Sequence, residues 1–239
     1  MSVKDWEGTA LIIGAGGIGN QLSERFKLVS PKLDVILCGR NLSSRHGINL
    51  DLESDDSLAS FERRISLFEK PLRLVINSSG FLHSNLIKPE KRLSHLNRGN
   101  IIKNFSVNSI APILIAKSIE RFIRPELPFL YASLSARVGS ISDNKLGGWY
   151  SYRASKAAQN QFLKTLSIEW RRKFPKSIVS ILHPGTCDTK LSKPFQSNVP
   201  KDKLFPPARS AEYLINVLSK QKTTDSGKFL AWDSSLIPW

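Results

Sequence analysis

The chain is poor in cysteine and histidine. Its 239 residues include only Cys38 and Cys187, and their spacing fits no metal-binding motif. A disulfide framework would be improbable in a reducing compartment, and Cys38 sits in a short apolar run where it is expected to pack within a strand. His83, His95 and His183 share no metal-ligand spacing either. The sequence therefore predicts no metal site.

Long hydrophobic runs are also absent. No stretch approaches the roughly 20 apolar residues that a membrane span requires, and Asp5 and Glu7 precede the first apolar run, unlike in a secretory signal. We therefore expect a cytoplasmic protein without a membrane association. Linkers, repeats and low-complexity tracts are lacking as well, so residues 1–239 are expected to form one domain.

Acidic residues are scarce, with 20 against 35 basic residues and a net charge of +15. Such an excess raises the hypothesis of nucleic-acid binding. The two densest basic regions, 88–103 and 171–176, contain no recognisable nucleic-acid module, and Phe174 is their only aromatic residue. Solvated helix faces explain them, so nucleic acid is not expected as a partner.

Short apolar runs alternate with helical patterns along the chain. The runs lie at 9–13, 35–38, 72–76, 129–131, 178–182 and 229–231, and the helical patterns near 57–68, 101–122, 153–173 and 208–220. Such alternation favours right-handed β-α-β units. The prediction is an α/β fold: a single doubly wound, Rossmann-like domain whose mainly parallel sheet of about seven strands carries helices on both faces.

Ligands of such sheets bind beyond the carboxyl ends of the strands. The residues that follow the predicted strands are mostly small, polar or glycine: 14–19, 39–41, 51–52, 77–80, 133–135 and 183–189. The first of these segments, Gly14-Ala-Gly-Gly-Ile-Gly19, lies between a strand and a helix, which is the context of a dinucleotide-binding turn. Its candidate cofactor-binding residues are Gly14, Gly16, Gly17, Ile18 and Gly19.

Tyr152 and Lys156 are four residues apart in a predicted helix, so both side chains lie on one face. At a separation of ~4 Å and an effective dielectric of ~20, the ammonium attracts a phenolate by about 4 kcal/mol. This attraction could lower the tyrosine pKa by up to about three units before desolvation opposes it. The pair is therefore predicted to perform acid-base chemistry.

Together these segments resemble the short-chain dehydrogenase/reductase family over essentially the whole chain. The family's markers appear in order: the glycine turn, Asp51 after the third strand, Asn77-Ser-Ser-Gly80, Asn108, a serine segment, Tyr152-x-x-x-Lys156, and Pro184-Gly185 leading to Thr189. The stretches 135–144 and 147–150 are similar to the small C-factor-like and carbonyl-reductase branch. The glycine turn is one residue shorter than the family's common form.

The resemblance implies roles for these residues. Tyr152 would protonate the alkoxide that develops as hydride reaches a carbonyl carbon, and Lys156 would shift the phenol and hold the ribose hydroxyls. Asn108 would support a water-linked proton path. Asp51 and Leu52 would flank the adenine, and the remaining cofactor-binding positions would be Asn77, Ser78, Gly80, Pro184, Gly185 and Thr189.

A serine hydroxyl would orient the carbonyl oxygen, but the family's usual position falls on Ala136 in this sequence. Ser135 lies one residue earlier, and Ser133 shares its face because side chains alternate along a strand. We choose Ser135 and keep Ser133 as the alternative.

The second strand ends in Gly39-Arg40-Asn41, where an NAD site usually carries an acid. Arg40 can instead pair with a 2′-phosphate, so NADP is expected, with NAD as the alternative.

A short lid around 190–207 suggests a small carbonyl or alcohol substrate. A catalytically silent dinucleotide-binding sensor or interaction protein is the rival hypothesis, and both a monomer and a homo-oligomer stay open.

Overall fold

The structure is a computed structural model that describes residues 2–44, 46–197 and 199–239. Its centre is a seven-stranded parallel sheet with the order β3-β2-β1-β4-β5-β6-β9, and β7 pairs with β8 in a small second sheet. The strands are β1 Gly8–Ile13, β2 Leu33–Gly39, β3 Ile48–Asn49, β4 Leu72–Asn77, β5 Phe129–Leu134, β6 Ser177–His183, β7 Thr186–Cys187, β8 Leu204–Phe205 and β9 Phe229–Ala231.

Helices cover both faces of the large sheet. They are α1 Gly17–Val29, α2 Asp55–Ile65, α3 Arg98–Phe105, α4 Ala111–Ile119, α5 Tyr150–Lys173 and α6 Pro207–Lys220. Apolar residues of α1 and α6 pack together on one face, and those of α2, α4 and α5 pack on the other. This arrangement confirms the predicted doubly wound α/β fold.

Burial on both faces explains why the strands read as continuous apolar runs. Every residue of β1, β4 and β5 is buried. Cys38 packs in β2 as expected, and burial raises the pKa of its thiol far above the ordinary value. Within the described ranges, no helix is both long enough and apolar enough to cross a membrane.

The strand order reverses beside β1, because β2 and β4 lie on opposite sides of it. A crevice opens at such a switch point, beyond the carboxyl ends of the strands. The ends of β1, β4, β5 and β6 lie side by side at this edge. It therefore gathers most of the residues that the sequence singled out.

Candidate active site

The glycine turn after β1 is held by Ser78. The Ser78 hydroxyl donates to the Ile13 and Gly14 carbonyl oxygens at 2.9 and 3.0 Å. Gly14 has a φ of +102°, a conformation that favours glycine, and a Cβ on Gly19 would lie 1.8 Å from the Gly14 oxygen. The turn is therefore close-packed at its ends.

Its middle is open. Gly16 precedes α1 with no side-chain cap, the first turn of α1 carries no acidic residue, and a Cβ on Gly16 would meet nothing within 4 Å. An uncapped helix N-terminus favours an anion, since its backbone N–H groups have no partners within the helix. A Cβ on Gly17 would lie 2.9 Å from Thr189 Cγ2, so the chain after β7 borders the same turn. These residues fit a dinucleotide pyrophosphate.

A cavity of about 310 Å³ lies beyond the end of β2. Arg40, Asn41, Asn49 and Asp51 line it, and the Arg40 side chain is exposed. The cavity therefore offers both a guanidinium, which pairs with a phosphate, and a carboxylate, which accepts from ribose hydroxyls. Leu52, the other residue expected at the adenine, packs partly buried against the core.

Asn77 and Ser133, at the ends of β4 and β5, belong to one buried network. Asn77 Nδ2 donates to Ser133 Oγ at 3.1 Å, and Gln159 Nε2 donates to the same oxygen at 2.8 Å. Asn77 Oδ1 accepts from the Ser79 backbone N–H at 3.1 Å. This network joins the turn after β4 to helix α5.

Asn108 lies in a π-helical turn, Ser106–Ile110, between α3 and α4. Its Nδ2 donates to the Phe81 oxygen at 2.8 Å, and its Oδ1 accepts from the Phe81 nitrogen at 2.7 Å. Nδ2 also donates to Ser155 Oγ on α5 at 3.0 Å. π-Turns inside helices are frequent at functional sites, and this one fixes the chain after Gly80 against α5.

Tyr152 and Lys156 are both buried on the face of α5 that packs beneath this edge of the sheet. The Lys156 amine lies 5.9 Å from the centre of the Tyr152 ring. Its hydrogen bonds go to the Leu134 oxygen at 3.0 Å and to Gln159 Oε1 at 2.9 Å. The predicted shared face is therefore present, with the amine directed toward the end of β5.

The predicted direction of the phenol pKa is wrong in this structure. Burial raises the pKa of Tyr152 above its ordinary value and lowers the pKa of Lys156 to about 7. Desolvation disfavours the charged form of each group, and here it exceeds the attraction that the four-residue spacing suggested. The pair therefore consists of a phenol that keeps its proton and an amine that titrates near neutrality.

The hydroxyl of Tyr152 remains available. Within the described ranges it forms no hydrogen bond, whereas the Tyr152 backbone oxygen accepts from Ser155 Oγ at 2.9 Å. The Tyr152 hydroxyl oxygen is also not fully enclosed by protein atoms. The hydroxyl therefore has a free hydrogen-bonding position within the described part of the chain.

Ser135 follows β5 and is 4 % exposed. Its hydroxyl donates to Asn160 Oδ1 at 2.6 Å, while Ser133 Oγ is engaged by the two amides described above. Both predicted serines therefore face α5, and Ala136 is partly exposed beside them.

The segment after β6 turns sharply at Gly185, which has a φ of +78° and packs against Phe205 and Trp232. The Pro184 oxygen accepts from Ser210 Oγ on α6 at 2.7 Å. These contacts hold the chain between β6 and Thr189 beside the N-terminus of α6.

Aromatic side chains from three segments of the chain contact one another beside Tyr152. The rings of Trp149 and Tyr152 lie 6.1 Å apart, those of Trp149 and Phe195 5.0 Å, and those of Phe195 and His83 5.6 Å. His83 Nε2 lies 3.2 Å from both the Lys190 and Leu191 oxygens, so it donates there. Residues near 81, 149 and 195 thus meet over Tyr152.

Two residues that the sequence did not single out are Gln159 and Asn160. They lie three and four residues after Lys156, so the same helical spacing that paired Tyr152 with Lys156 places them on the site face. Asn160 Nδ2 also donates to the Gly139 oxygen at 3.4 Å. Together they provide the partners of Lys156, Ser133 and Ser135.

Known proteins are similar to this chain in sequence. The family model described as short chain dehydrogenase matches residues 8–200. The chain is 26 % identical to C-signal of Myxococcus xanthus over 148 residues, which cover 62 % of this chain and 83 % of that protein. It is also 26 % identical to 1-hydroxy-2-glutathionyl-2-methyl-3-butene dehydrogenase of Rhodococcus sp. (strain AD45), over 97 % of this chain and 99 % of that protein.

Solved structures share the fold. An NADPH-bound carbonyl reductase from chicken fatty liver superposes with a TM-score of 0.82 at 22 % identity, covering 98 % of this chain and 99 % of that one. The carbonyl reductase Sniffer of D. melanogaster gives a TM-score of 0.83 at 21 % identity, covering 98 % and 100 % of the two chains.

Proposed function

This chain belongs to the short-chain dehydrogenase/reductase family, and we propose that it reduces a small ketone or aldehyde with NADPH, or oxidises the matching alcohol, with Tyr152 as general acid or base. Membership makes it an oxidoreductase that uses a nicotinamide dinucleotide. The observation that carries the proposal is the Tyr152 hydroxyl, which is free of hydrogen bonds in the described part of the chain and lies one helical turn from Lys156.

The chain offers a set of groups for the dinucleotide. The open N-terminus of α1 suits the pyrophosphate, with Gly14, Gly16, Gly17, Ile18 and Gly19 around it. Asp51 and Leu52 would border the adenine, and Asn77, Ser78, Gly80, Pro184, Gly185 and Thr189 would border the remaining parts. When bound, the nicotinamide supplies or accepts a hydride.

NADP is favoured because Arg40 is exposed in the cavity where a 2′-phosphate would lie. The chicken-liver reductase of the same fold binds NADPH, which supports this choice. Asp51 lines the same cavity, and a carboxylate there is the feature that would suit NAD. NAD is therefore the alternative cofactor.

Two residues of α5, Tyr152 and Lys156, would carry out the proton transfer. In the reducing direction the carbonyl carbon gains a hydride, and its oxygen takes the Tyr152 proton, so that a neutral alcohol leaves. Burial raises the pKa of Tyr152, which keeps that proton in place until negative charge develops on the oxygen. Lys156, whose pKa burial lowers to about 7, can return a proton at neutral pH, and Asn108 would support the path that refills it.

Ser135 is the serine that we propose for orienting the carbonyl oxygen. To do so its hydroxyl must exchange its bond to Asn160 for one to the substrate. Ser133 is the alternative, but its oxygen already accepts from two buried amides. Ser133 is fully buried within β5, whereas Ser135 follows the strand and is 4 % exposed, so Ser135 is the more accessible of the two hydroxyls.

The segment around 190–207 would act as a lid. Its Phe195 meets Trp149 and His83 above Tyr152, and Leu191 lies over Gly80, since a Cβ there would be 3.8 Å from Leu191 Cδ1. A substrate site bounded by aromatic edges so close to the phenol would suit a small, largely apolar carbonyl compound.

The test is a panel of small ketones and aldehydes, followed by the loss of NADPH absorbance and repeated with NADH. Turnover of at least one compound, faster with NADPH, is the expected result. Dinucleotide binding by fluorescence without turnover of any compound, in either direction, would favour the rival function, a silent dinucleotide-binding sensor or interaction protein. Absence of dinucleotide binding would contradict both.

A further inference from the structure

Helix α5, which carries Tyr152, begins without a cap of its own. Trp149 precedes it with a left-handed φ of 50°, forms no side-chain cap, and no acidic residue lies in the first turn. The first four N–H groups of a helix have no partner within the helix. Something outside α5 must therefore satisfy them where the helix is buried.

Glu90 is such a partner for the N–H of Ser151. Its Oε2 accepts from the Ser151 backbone N–H at 3.2 Å, its Oε1 accepts from the Ser151 hydroxyl, and its backbone oxygen accepts from the Trp149 N–H at 2.5 Å. The residue is 2 % exposed. A carboxylate buried to this extent is costly unless it is hydrogen-bonded, and the partial positive charge of a helix N-terminus favours it.

The cap of α5 comes from a different part of the chain, so it links two elements. A serine or aspartate just before α5 would fix only the helix, whereas Glu90 also fixes the loop 81–97 on which it lies. The same loop contacts Asn108 through Phe81 and the lid carbonyls through His83. Glu90 therefore joins the helix of Tyr152 to the walls of the site.

We propose that Glu90 is a positioning residue: by capping α5 at Ser151, one residue before Tyr152, it sets the direction of the tyrosine hydroxyl toward the substrate. This inference rests on the proposed function of Tyr152. Glu90 does not itself exchange a proton with the substrate. Its contribution is to orientation, so it affects the rate constant of turnover and leaves dinucleotide binding unchanged.

The experiment compares Glu90→Ala and Glu90→Gln with the wild type. The glutamine keeps one carbonyl oxygen as an acceptor and is expected to restore part of the lost function. Ser226→Ala is the matched control, because Ser226 Oγ also accepts from a buried backbone N–H, that of Val179 at 3.0 Å, near the opposite end of β6. Turnover, NADPH affinity and amide hydrogen exchange are measured for each protein.

We expect Glu90→Ala to lower kcat about tenfold or more, with NADPH affinity within about twofold of the wild type. Amides at 149–154 should exchange about tenfold faster in Glu90→Ala. Glu90→Gln should be intermediate in kcat and in these exchange rates, and Ser226→Ala should match the wild type in both quantities. The pH profile of kcat should keep its shape. If Glu90→Ala does not fold, the glutamine variant provides the same comparison.

Two results would overturn the inference while the proposed function stands: unchanged kcat in folded Glu90→Ala, or loss of one limb of the pH profile, which would make Glu90 a proton-transfer group. A wild type without turnover would contradict the proposed function instead. The exchange rates at 149–154 would then decide alone whether Glu90 holds this turn, and unchanged rates would overturn the cap.

Discussion

Arg40 is the residue on which the choice between the two dinucleotides depends. It is exposed at the end of β2 and shares its cavity with Asp51. A guanidinium that pairs with a 2′-phosphate contributes to NADPH binding and not to NADH binding. Arg40→Gln should therefore raise the KM for NADPH about tenfold or more and change the KM for NADH by less than about twofold.

The control for this variant is Arg63→Gln, which removes one exposed positive charge from α2. It corrects for general attraction of the anionic cofactor by the strongly basic protein. Equal losses for NADPH and NADH, or an equal effect of Arg63→Gln, would remove Arg40 from the 2′-phosphate site.

Ser133, near the end of β5, and Ser135, just after it, should differ in the effect of their removal. Ser133→Ala leaves the Asn77 amide N–H without its acceptor and the Gln159 amide with only a 3.3 Å bond to the Leu134 oxygen, so it should reduce stability in urea unfolding by about 1–3 kcal/mol. Ser135→Ala should lower kcat about tenfold. Full turnover of Ser135→Ala together with loss of turnover in Ser133→Ala would reverse the assignment.

Sequence reasoning placed Tyr152 and Lys156 on one face correctly, because a helical period depends on spacing alone. It could not give the direction of the phenol pKa. That direction depends on burial and on the partners of Lys156, namely Leu134 and Gln159, and the first of these lies in a different element. Glu90 was missed for the same reason, since its partner Ser151 is 61 residues away along the chain.

At the scale of elements, the N-terminus of α1 provides a test of the dinucleotide site. A Cβ on Gly16 meets nothing within 4 Å, and its φ of −90° suits alanine. Gly16→Ala should therefore leave the thermal midpoint within about 2 °C of the wild type. The methyl group would stand where the pyrophosphate approaches the helix, so affinity for NADPH should fall about tenfold.

Gly99→Ala, in the first turn of α3, is the control for a glycine-to-alanine change at a helix start. Fluorescence titration with NADPH measures all three proteins. Wild-type affinity in Gly16→Ala would indicate that the cofactor does not approach the open part of this turn.

Element boundaries were the least predictable feature. Helix α5 begins at Tyr150, three residues before the predicted range, and Glu90 from the loop 81–97 accepts from the Ser151 N–H in its first turn. The helical pattern near 101–122 is interrupted by the π-turn at Ser106–Ile110. The 3.6-residue spacing of apolar side chains does not reveal a turn that contains one extra residue. The hydrogen bonds between Asn108 and Phe81 join residues 27 positions apart, so local spacing does not reveal them either.

For the whole molecule, the alternation of apolar runs and helical patterns was sufficient to predict the sheet and its two helical layers. Parallel strands joined by right-handed crossovers leave few alternatives. The small sheet of β7 and β8 was not predicted, because two-residue strands have no recognisable period. It forms where Phe205 packs against Trp232 and Tyr213, which is a tertiary arrangement.

Global stability should depend on pH through Lys156. Its pKa is about 7 in the folded protein and about 10.4 when unfolded. The unfolded chain thus binds more protons between these values, and the wild type gains stability as pH rises. Lys156→Met lacks this dependence, so its stability relative to the wild type should fall by roughly 2 kcal/mol from pH 7 to pH 9.

Urea unfolding at pH 7, 8 and 9 measures this difference. Lys145→Met, at an exposed lysine, controls for the loss of one positive charge. A constant difference between wild type and Lys156→Met across the three pH values would show that Lys156 is not held in a desolvated site.

The central claim is that the Tyr152 hydroxyl transfers the proton in nicotinamide-dependent turnover. The most direct measurement compares Tyr152→Phe with Tyr150→Phe in paired assays of NADPH affinity and carbonyl turnover. Tyr150→Phe is the control, because it removes an exposed hydroxyl two residues away on the same helix. We predict that Tyr152→Phe binds NADPH within about twofold of the wild type and loses turnover at least a thousandfold, while Tyr150→Phe keeps both. Turnover by Tyr152→Phe at the wild-type rate would contradict the account.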